Sequence, residues 1–170
     1  MELPSPEPEI AAIPLNPLQR QVVDYFVDGV RVLGLPRSLG EIYGLLFITP
    51  TPLSLDDLVR ILGISKGSAS QGLRTLKTLG AVREAPGNGD RRTYYEPAVD
   101  LKRLVGGFIR EQIRPHLESG KSKLQSLQET ALMDMNPDER EFYNERFERL
   151  ESWMKRGGQV LPMLQKLLGQ

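Results

Sequence analysis

The middle of the chain carries two pairs of helix start and stop signals that are separated by a single short turn. Ser54 is followed three residues later by Asp57, which is the spacing of a capping box at a helix start, and Gly63 ends that helix. Ser65 caps a second helix, which Gly80 ends. Two short helices joined by a three-residue turn match the helix-turn-helix pattern, and this feature constrains the fold more than any other in the sequence.

A predicted β-hairpin follows directly. Two segments that favour β-structure, residues 81–84 and 91–96, flank the turn sequence Pro86-Gly87-Asn88-Gly89-Asp90. A hairpin after a helix-turn-helix is a wing. Residues 36–97 are therefore expected to form a winged helix-turn-helix domain, and the fold class is expected to be mainly α with a small β-hairpin wing.

Helical periodicity extends on both sides of this domain. Residues 1–14 contain four prolines and three glutamates, a composition that indicates a disordered arm. Residues 15–35 predict an amphipathic helix, and residues 98–170 predict further helices. In the latter segment Pro115 is expected to kink or end a helix, and Gly120 is expected to interrupt it again.

Two further helix starts are predicted from capping residues. Ser38, with Glu41 three residues later, is expected to cap a helix that ends near Ile48. Asn136 is expected to cap the last long helix, with Pro137 at its first position. The apolar stripe of that last helix consists of Phe142, Phe147, Leu150, Met154, Val160, Leu161, Leu164 and Leu168.

The second helix of the pair, residues 66–79, separates into two faces at 100° per residue. One face is small and apolar and is expected to pack on the preceding helix: Ala69, Gly72, Leu73, Leu76 and Leu79. The opposite face is small, polar and basic and has no carboxylate, with Ser70 and Lys77 on its flank: Gly67, Gln71, Arg74 and Thr78. Gln and Arg can bind the edges of adenine and guanine through two hydrogen bonds, so this face suits the major groove of DNA.

The helix N-terminus and the hairpin add candidate phosphate contacts. Free backbone N–H groups and the positive end of the helix dipole suit a phosphate, and paired arginines on a hairpin suit a phosphate or a narrow minor groove. The candidate DNA-binding residues on the helix are Ser65, Lys66, Gly67, Ser68, Ser70, Gln71, Arg74 and Lys77. Those on the hairpin are Asn88, Asp90, Arg91 and Arg92. The alternative for the two arginines is a solvated pair or a salt bridge with Asp90.

Composition excludes several classes of site. The chain has no cysteine and one histidine, His116, which excludes disulfides, thiolate zinc sites and imidazole-rich metal clusters. No catalytic constellation, membrane-spanning run or secretory signal is visible, so we expect a cytoplasmic protein that is not an enzyme and needs no cofactor. The formal net charge is zero, whereas DNA-binding domains are usually basic. The segment 65–83 nevertheless has four bases and no acid, and the acids concentrate in 138–151.

Several runs resemble the GbsR-like branch of the MarR-type regulators. They are PRSLGEIYGLL at 36–46, PLSLDDL at 52–58, LGISKGSAS at 62–70, GDRR at 89–92 and YYE at 94–96. The resemblance implies a homodimer whose terminal helices form the interface, and a repressor that binds a palindromic operator. It also implies that 66–74 is the recognition helix and that the Asp-x-Arg pattern of the wing, here Asp90 and Arg92, orients the arginine toward DNA.

Members of this branch include repressors of glycine-betaine and choline genes, some of which sense choline. A choline-like effector would need an aromatic cage, and candidates occur on the predicted terminal helices: Tyr25, Phe26, Phe142, Tyr143, Phe147 and Trp153. The alternative is that these aromatic residues form core. A second alternative concerns the whole domain, because some winged helices bind proteins within larger assemblies. Such modules usually lose the basic outward face that residues 65–83 retain.

Overall fold

The computed structural model describes residues 14–87, 89–133 and 136–168. The predicted N-terminal arm therefore lies outside the described residues except for Pro14, and so does the candidate residue Asn88. The chain forms two compact units, one that ends at Leu101 and one that begins at Lys102. The architecture is mainly helical with one small antiparallel sheet, as the sequence predicts.

The first unit consists of four helices and three short strands. Its elements, in chain order, are α1 (Pro17–Val32), α2 (Arg37–Ile48), β1 (Leu53–Ser54), α3 (Leu55–Leu62), α4 (Lys66–Thr78), β2 (Val82–Ala85) and β3 (Tyr94–Pro97). The helix α1 begins at a capping box of Asn16 and Gln19, a signal that our sequence reading missed. The predicted helices and the predicted wing are all present.

The start of α2 differs from the prediction. The helix begins at Arg37 directly after Pro36, whose φ of −57° suits a helix start, and no side chain caps it. Ser38 consequently lies inside the first turn, where it does not cap the helix. Glu41 does not complete a capping box either, because its Oε1 accepts a hydrogen bond from Arg37 Nε at 2.7 Å.

Two glycines of α2 let its backbone approach α1. A Cβ at Gly40 would lie 2.6 Å from Val27 Cα, and a Cβ at Gly44 would lie 2.8 Å from Val23 Cα. Val23, Val27 and the fully buried Tyr43 are part of the core of this unit. The helix α1 therefore packs closely on the winged-helix segment, and the assignment of residues 15–35 to a dimerisation region stays a prediction.

The sheet has the strand order β1-β3-β2, and all pairs are antiparallel. The strand β1 was not predicted, because two residues give no alternating pattern and only the pairing of Leu53 with Tyr95 and of Ser54 with Tyr94 makes them a strand. The strand β3 was predicted to begin near residue 91, but it begins at Tyr94. Hydrogen bonds to Asp90 keep the preceding residues in the turn.

The apolar face of α4 is buried as predicted, and it packs against α2 in addition to α3. All five predicted inner residues are buried: Ala69, Gly72, Leu73, Leu76 and Leu79. Part of this face meets α2 as well as α3, since a Cβ at Gly72 would lie 2.4 Å from Ile42 Cδ1. Gly72 is therefore a packing glycine. Of the predicted stripe of α3, Leu58 is fully buried and the other apolar residues are half-buried.

The second unit contains the remaining helices. They are α5 (Leu101–Phe108), which starts at the end of the first unit, a π-helical turn (Ile109–Ile113), α6 (Arg114–Met133) and α7 (Pro137–Leu167). Pro115 does not end the helix, because the wide π-helical turn just before it relieves the clash that its ring would cause in a regular helix. Gly120 does not interrupt α6 either. It lies against α7, where its Cβ would be 2.5 Å from Met154 Cε.

The start of α7 agrees with the prediction, because Asn136 forms a capping box with Glu139 and Pro137 is at the first position. Arg114 of α6 donates a hydrogen bond to the buried Gln165 of α7. Most of the predicted apolar stripe of α7 is not buried within the chain, and Leu161 is its buried member. Among the described residues, no helix is long and apolar enough to cross a membrane.

Candidate nucleic-acid interface

Local hydrogen bonds fix the turn between α3 and α4. The capping box predicted at Ser54 and Asp57 is present, with Ser54 Oγ donating to Asp57 Oδ2 at 2.6 Å. Gly63 ends α3 with a φ of +65°, a left-handed conformation that glycine adopts without strain. Ser65 Oγ then accepts the N–H of Ser68 at 3.1 Å and so begins α4. The turn is set by residues three or four apart, which explains why the sequence predicts it correctly.

The outward face of α4 is accessible along its length. The predicted candidates Ser65, Lys66, Gly67, Ser68, Gln71, Arg74 and Lys77 are exposed, and Ser70 is half-buried on the flank. A Cβ at Gly67 would meet only Ser65 Oγ, at 3.9 Å, so this end of the helix is open to close approach. Ser65 Oγ also donates to Ser68 Oγ at 2.9 Å, which ties together the two hydroxyls at the N-terminus.

Acidic side chains from neighbouring elements reach the cations of this face. Lys66 Nζ lies 3.7 Å from Oδ1 of Asp56 on α3. Lys77 Nζ donates to Oε1 of Glu84 on β2, and this hydrogen bond raises the pKa of Lys77. The helix itself has no carboxylate, as predicted, but the three-dimensional surface is less basic than its sequence suggests. The acids lie outside the segment 66–79 that the sequence reading considered.

The five candidate cations of the interface differ in whether an acid pairs with them. Within the described part of the chain, no ion pair joins Arg74 or Arg91 to an acid, whereas Lys66, Lys77 and Arg92 each have a partner. Both arginines are exposed. The side chains best placed to exchange water for a nucleic-acid contact are therefore Arg74 on the helix and Arg91 on the wing, since neither has to leave an acid first.

The wing contains a compact hydrogen-bonded network around Asp90. Arg92 Nε donates to Asp90 Oδ2 at 2.6 Å, and the backbone N–H of Arg92 donates to Oδ1 at 3.2 Å. The hydroxyl of Tyr94 also donates to Oδ2, at 2.9 Å. The hydrogen bond from the Arg92 side chain, with that from Tyr94, lowers the pKa of Asp90, so this carboxylate is charged at neutral pH. Asp90 therefore holds Arg92 in an ion pair, which agrees both with the Asp-x-Arg resemblance and with the alternative of a salt bridge on the wing.

The carboxyl of Asp57, at the start of α3, has a pKa that depends on its burial, its hydrogen bonds and the charges around it. Burial raises the pKa of its carboxyl, but hydrogen bonds from the side chain and backbone of Ser54, together with nearby positive charges, lower the pKa by more than burial raises it. The charges of Arg60 and Arg92 act in the same direction. Arg60 is close, with its Nη2 at 2.9 Å from Asp57 Oδ1. The capping role of Asp57 is predicted by the sequence, whereas the effect of the Arg92 charge on its pKa is not.

The aromatic residues considered for an effector site lie in both units. Phe26 belongs to a cluster in the first unit, with its ring centre 4.9 Å from that of Tyr43. Phe142 lies on α7 in the second unit, where Arg146 of the same helix is 4.9 Å from its ring centre. These contacts are those of core packing and of a surface helix, and a cage for a choline-like effector stays a prediction.

A helix-turn-helix followed by a strand-paired wing defines the class of winged helix-turn-helix DNA-binding proteins. The sequence model of the MarR family matches residues 33–93, which span α2 to the wing. The chain is a DNA-binding transcriptional regulator, and its resemblance to the MarR-type regulators, including the GbsR-like branch, is confirmed by this match and by its relatives.

Two relatives from Bacillus subtilis (strain 168) are named as regulators of transcription, not as enzymes. The chain is 21% identical over 146 residues to YvaV, a candidate HTH-type transcriptional regulator, an alignment that covers 79% of this chain and 80% of YvaV. It is 28% identical over 102 residues to the HTH-type transcriptional repressor GbsR, covering 60% of this chain and 55% of GbsR. A solved structure of a transcriptional regulator has the same fold, with a TM-score of 0.60, 22% identity and coverage of 90% of this chain and 97% of that one.

Proposed function

We propose that the chain is a repressor that binds a pseudo-palindromic operator as a homodimer, with α4 in the major groove and the wing on the flanking backbone or minor groove. The observation that carries this proposal is the outward face of α4, where Gln71 and Arg74 are exposed one turn apart. Both side chains can form two hydrogen bonds to a base edge. Under this proposal the protein acts where the DNA is, in the cytoplasm.

Phosphate contacts are proposed for the two ends of the interface. The N–H groups of Lys66 and Gly67 precede the first intrahelical hydrogen bond of α4, and the helix dipole makes this end attractive to an anion. The open space at Gly67 supports close approach of a DNA strand. At the other end, Arg91 and Arg92 are exposed on the wing. Asn88 belongs to the same proposed contact, although it lies outside the described residues.

The homodimer is supported by an exposed apolar strip on α7. At 100° per residue five exposed residues fall within about 60° of one another. They are Phe142, Trp153, Val160, Leu164 and Leu167. Exposed apolar side chains on one helix face, here interrupted by Arg146 and Arg149, suit an interface, and a second copy of the chain is the occupant that a two-fold operator requires. Such a dimer would present two α4 helices to successive major grooves about 34–36 Å apart.

Selection of bound duplexes from a random pool tests the symmetry of the site. We expect a pseudo-palindromic consensus whose half-sites are about 10 base pairs apart, or a multiple of that spacing. An asymmetric consensus would contradict the homodimer. If no duplex is enriched and random DNA does not bind at micromolar protein and low salt, the domain is a protein-binding module instead. A reporter gene behind the selected site should be expressed more strongly without the protein if it is a repressor.

Substitutions test the base contacts. Arg74→Ala or Gln71→Ala is expected to relax base preference at one position of each half-site, at a cost of about 1–3 kcal/mol per half-site. The matched control is Lys155→Ala on α7, an exposed cation that lies at least about 120° around the helix from the apolar strip and should leave affinity unchanged. A loss of affinity that is equal for all sequences would mean that Arg74 contacts the backbone instead of a base.

Substitutions at Lys66 and Arg92 test the phosphate contacts. Each is expected to weaken binding to all duplexes by a similar factor and to flatten the dependence of affinity on salt by about one unit of slope per phosphate lost. If Arg74→Ala and Arg92→Ala both leave duplex affinity unchanged, the proposed interface is wrong.

A further inference from the structure

Tyr94 joins the tip of the wing to the sheet of the first unit. It is the first residue of β3, where it pairs with Ala85 of β2 on one side and with Ser54 of β1 on the other. The residue is 7% exposed. Gly87 lies so close that a Cβ there would be 3.2 Å from ring atom Cδ2 of Tyr94. The ring is therefore held by strands and by the hairpin backbone, whereas residues 89–93 just before it are exposed.

The side chain of Tyr94 contacts both partners of the wing ion pair. Its hydroxyl donates to Asp90 Oδ2 at 2.9 Å, the same oxygen that accepts Arg92 Nε at 2.6 Å. Its ring centre lies 5.7 Å from Arg92 Cζ, which is within the range of a cation–π interaction. A side chain anchored in the sheet thus meets the carboxylate and the guanidinium together.

The contact with Tyr94 restricts the geometry of the exposed ion pair between Asp90 and Arg92. An isolated surface pair of Asp90 and Arg92 would hold its geometry weakly, because water screens the charges and two side chains lose entropy. A third group on a fixed strand restricts Asp90, and Asp90 in turn restricts Arg92. Since Nε of Arg92 is occupied by Asp90, its two terminal nitrogens are the donors left for a phosphate.

We propose that Tyr94 is a positioning residue for DNA binding: its hydroxyl fixes Asp90, Asp90 fixes Arg92, and its ring supports the guanidinium. The arginine is then oriented before DNA arrives, and binding does not have to order it. The inference rests on the proposed function, because it requires Arg92 to contact DNA.

Tyr94→Phe tests the role of the hydroxyl because it retains the ring. At about 0.15 M salt we expect duplex affinity to fall roughly three- to tenfold. In an Arg92→Ala background the same change is expected to have no further effect, because Tyr94 acts through Arg92. The matched control is Tyr43→Phe, which removes a hydrogen bond from the Tyr43 hydroxyl to the carbonyl of Ala98 at 2.8 Å. This control should lower the melting temperature and leave affinity unchanged.

A second measurement needs no DNA. In the NMR spectrum of the free protein, the Nε–H of Arg92 should exchange slowly with solvent because it donates to Asp90. Tyr94→Phe should accelerate this exchange, and Tyr43→Phe should not. A purely structural role of Tyr94 in the sheet would leave this signal unchanged at temperatures where the variant is folded.

The outcomes separate this inference from the proposed function. A loss of equal size from Tyr94→Phe with and without Arg92 would overturn the inference, because the hydroxyl would then act on the fold. Unchanged affinity of Tyr94→Phe beside a weakened Arg92→Ala would overturn it too. If Arg92→Ala itself binds like the unmodified protein, the proposed wing contact and this inference both fail, while the base contacts of Arg74 are judged by their own variants.

Discussion

Substitution of Glu84 by glutamine is expected to strengthen DNA binding. Glu84 lies on β2 and accepts a hydrogen bond from Lys77 of α4, and the two side chains are 54% and 43% exposed. If Lys77, a candidate DNA-binding residue, contacts a DNA phosphate, this carboxylate would compete with that phosphate for the lysine. We take the carboxylate and the phosphate to be about 7 Å apart, since one ammonium group would lie between them. Glu84→Gln removes the negative charge and retains a side chain of the same size.

The size of the expected gain in affinity follows from the charges of Glu84 and the phosphate and from the distance between them. Two unit charges about 7 Å apart in water interact by about 0.6 kcal/mol. Two half-sites then give about 1.2 kcal/mol, which is just under tenfold in affinity. The hydrogen bond to Glu84 raises the pKa of Lys77, and the lysine stays protonated at neutral pH even when its pKa returns to the ordinary value. The released lysine can neutralise one more phosphate per half-site, which steepens the salt slope by about 0.9 each.

Fluorescence anisotropy with labelled duplex, measured over a series of salt concentrations, provides both quantities. Glu151→Gln on α7 is the control, since it changes net charge equally at an exposed position on the face of the helix opposite the apolar strip. The stability of either variant should change by less than about 1 kcal/mol, because exposed ion pairs contribute little. If Glu84→Gln binds no more tightly than Glu151→Gln at low salt, Lys77 does not contact a phosphate and the reasoning is wrong.

Two further predictions concern stability. Gly40→Ala should lower the melting temperature by several degrees, because steric overlap with the backbone at Val27 costs about 1–3 kcal/mol or more. The control is Gly29→Ala, whose Cβ would have no atom within 4 Å. This variant should have unchanged stability or gain up to about 1 kcal/mol. The pKa of Asp57 is lowered in the folded protein, so the stability it provides is present above its ordinary pKa of about 4 and is lost as pH falls through the lowered value. Thermal melts of Asp57→Asn should therefore depend less on pH in the acid range, and an unchanged profile would exclude this carboxyl as a source of acid sensitivity.

The faces of α4 are predictable from the sequence, but the acids beside its outward face are not. The 3.6-residue period assigned all five inner residues of the helix correctly, because residues three and four apart share one face and the apolar face is the one that packs against other helices. The same reading described a basic face without acids. It could not include Asp56 and Glu84, because those residues belong to other elements that only the folded chain brings to Lys66 and Lys77.

The helix-turn-helix is encoded by local residues, whereas the sheet of the wing also depends on distant ones. Ser54, Gly63 and Ser65 act on neighbours three or four residues away, so the caps and the helix-turn-helix are encoded locally and are determined by the sequence. The strand β1, by contrast, exists because residues 53 and 54 pair with a strand that starts about 40 residues later. No local pattern of two residues could indicate that pairing.

The sequence by itself determined the winged helix-turn-helix, the caps that bound its helices and the side chains that α4 turns outward, since each depends on short-range hydrogen bonds or helical period. Only the tertiary structure decided which cations keep an acid partner, how closely Gly40 lets α1 approach α2, and that Tyr94 meets Asp90 and Arg92. These features depend on distances between elements, and such distances are set by the packing of the whole unit.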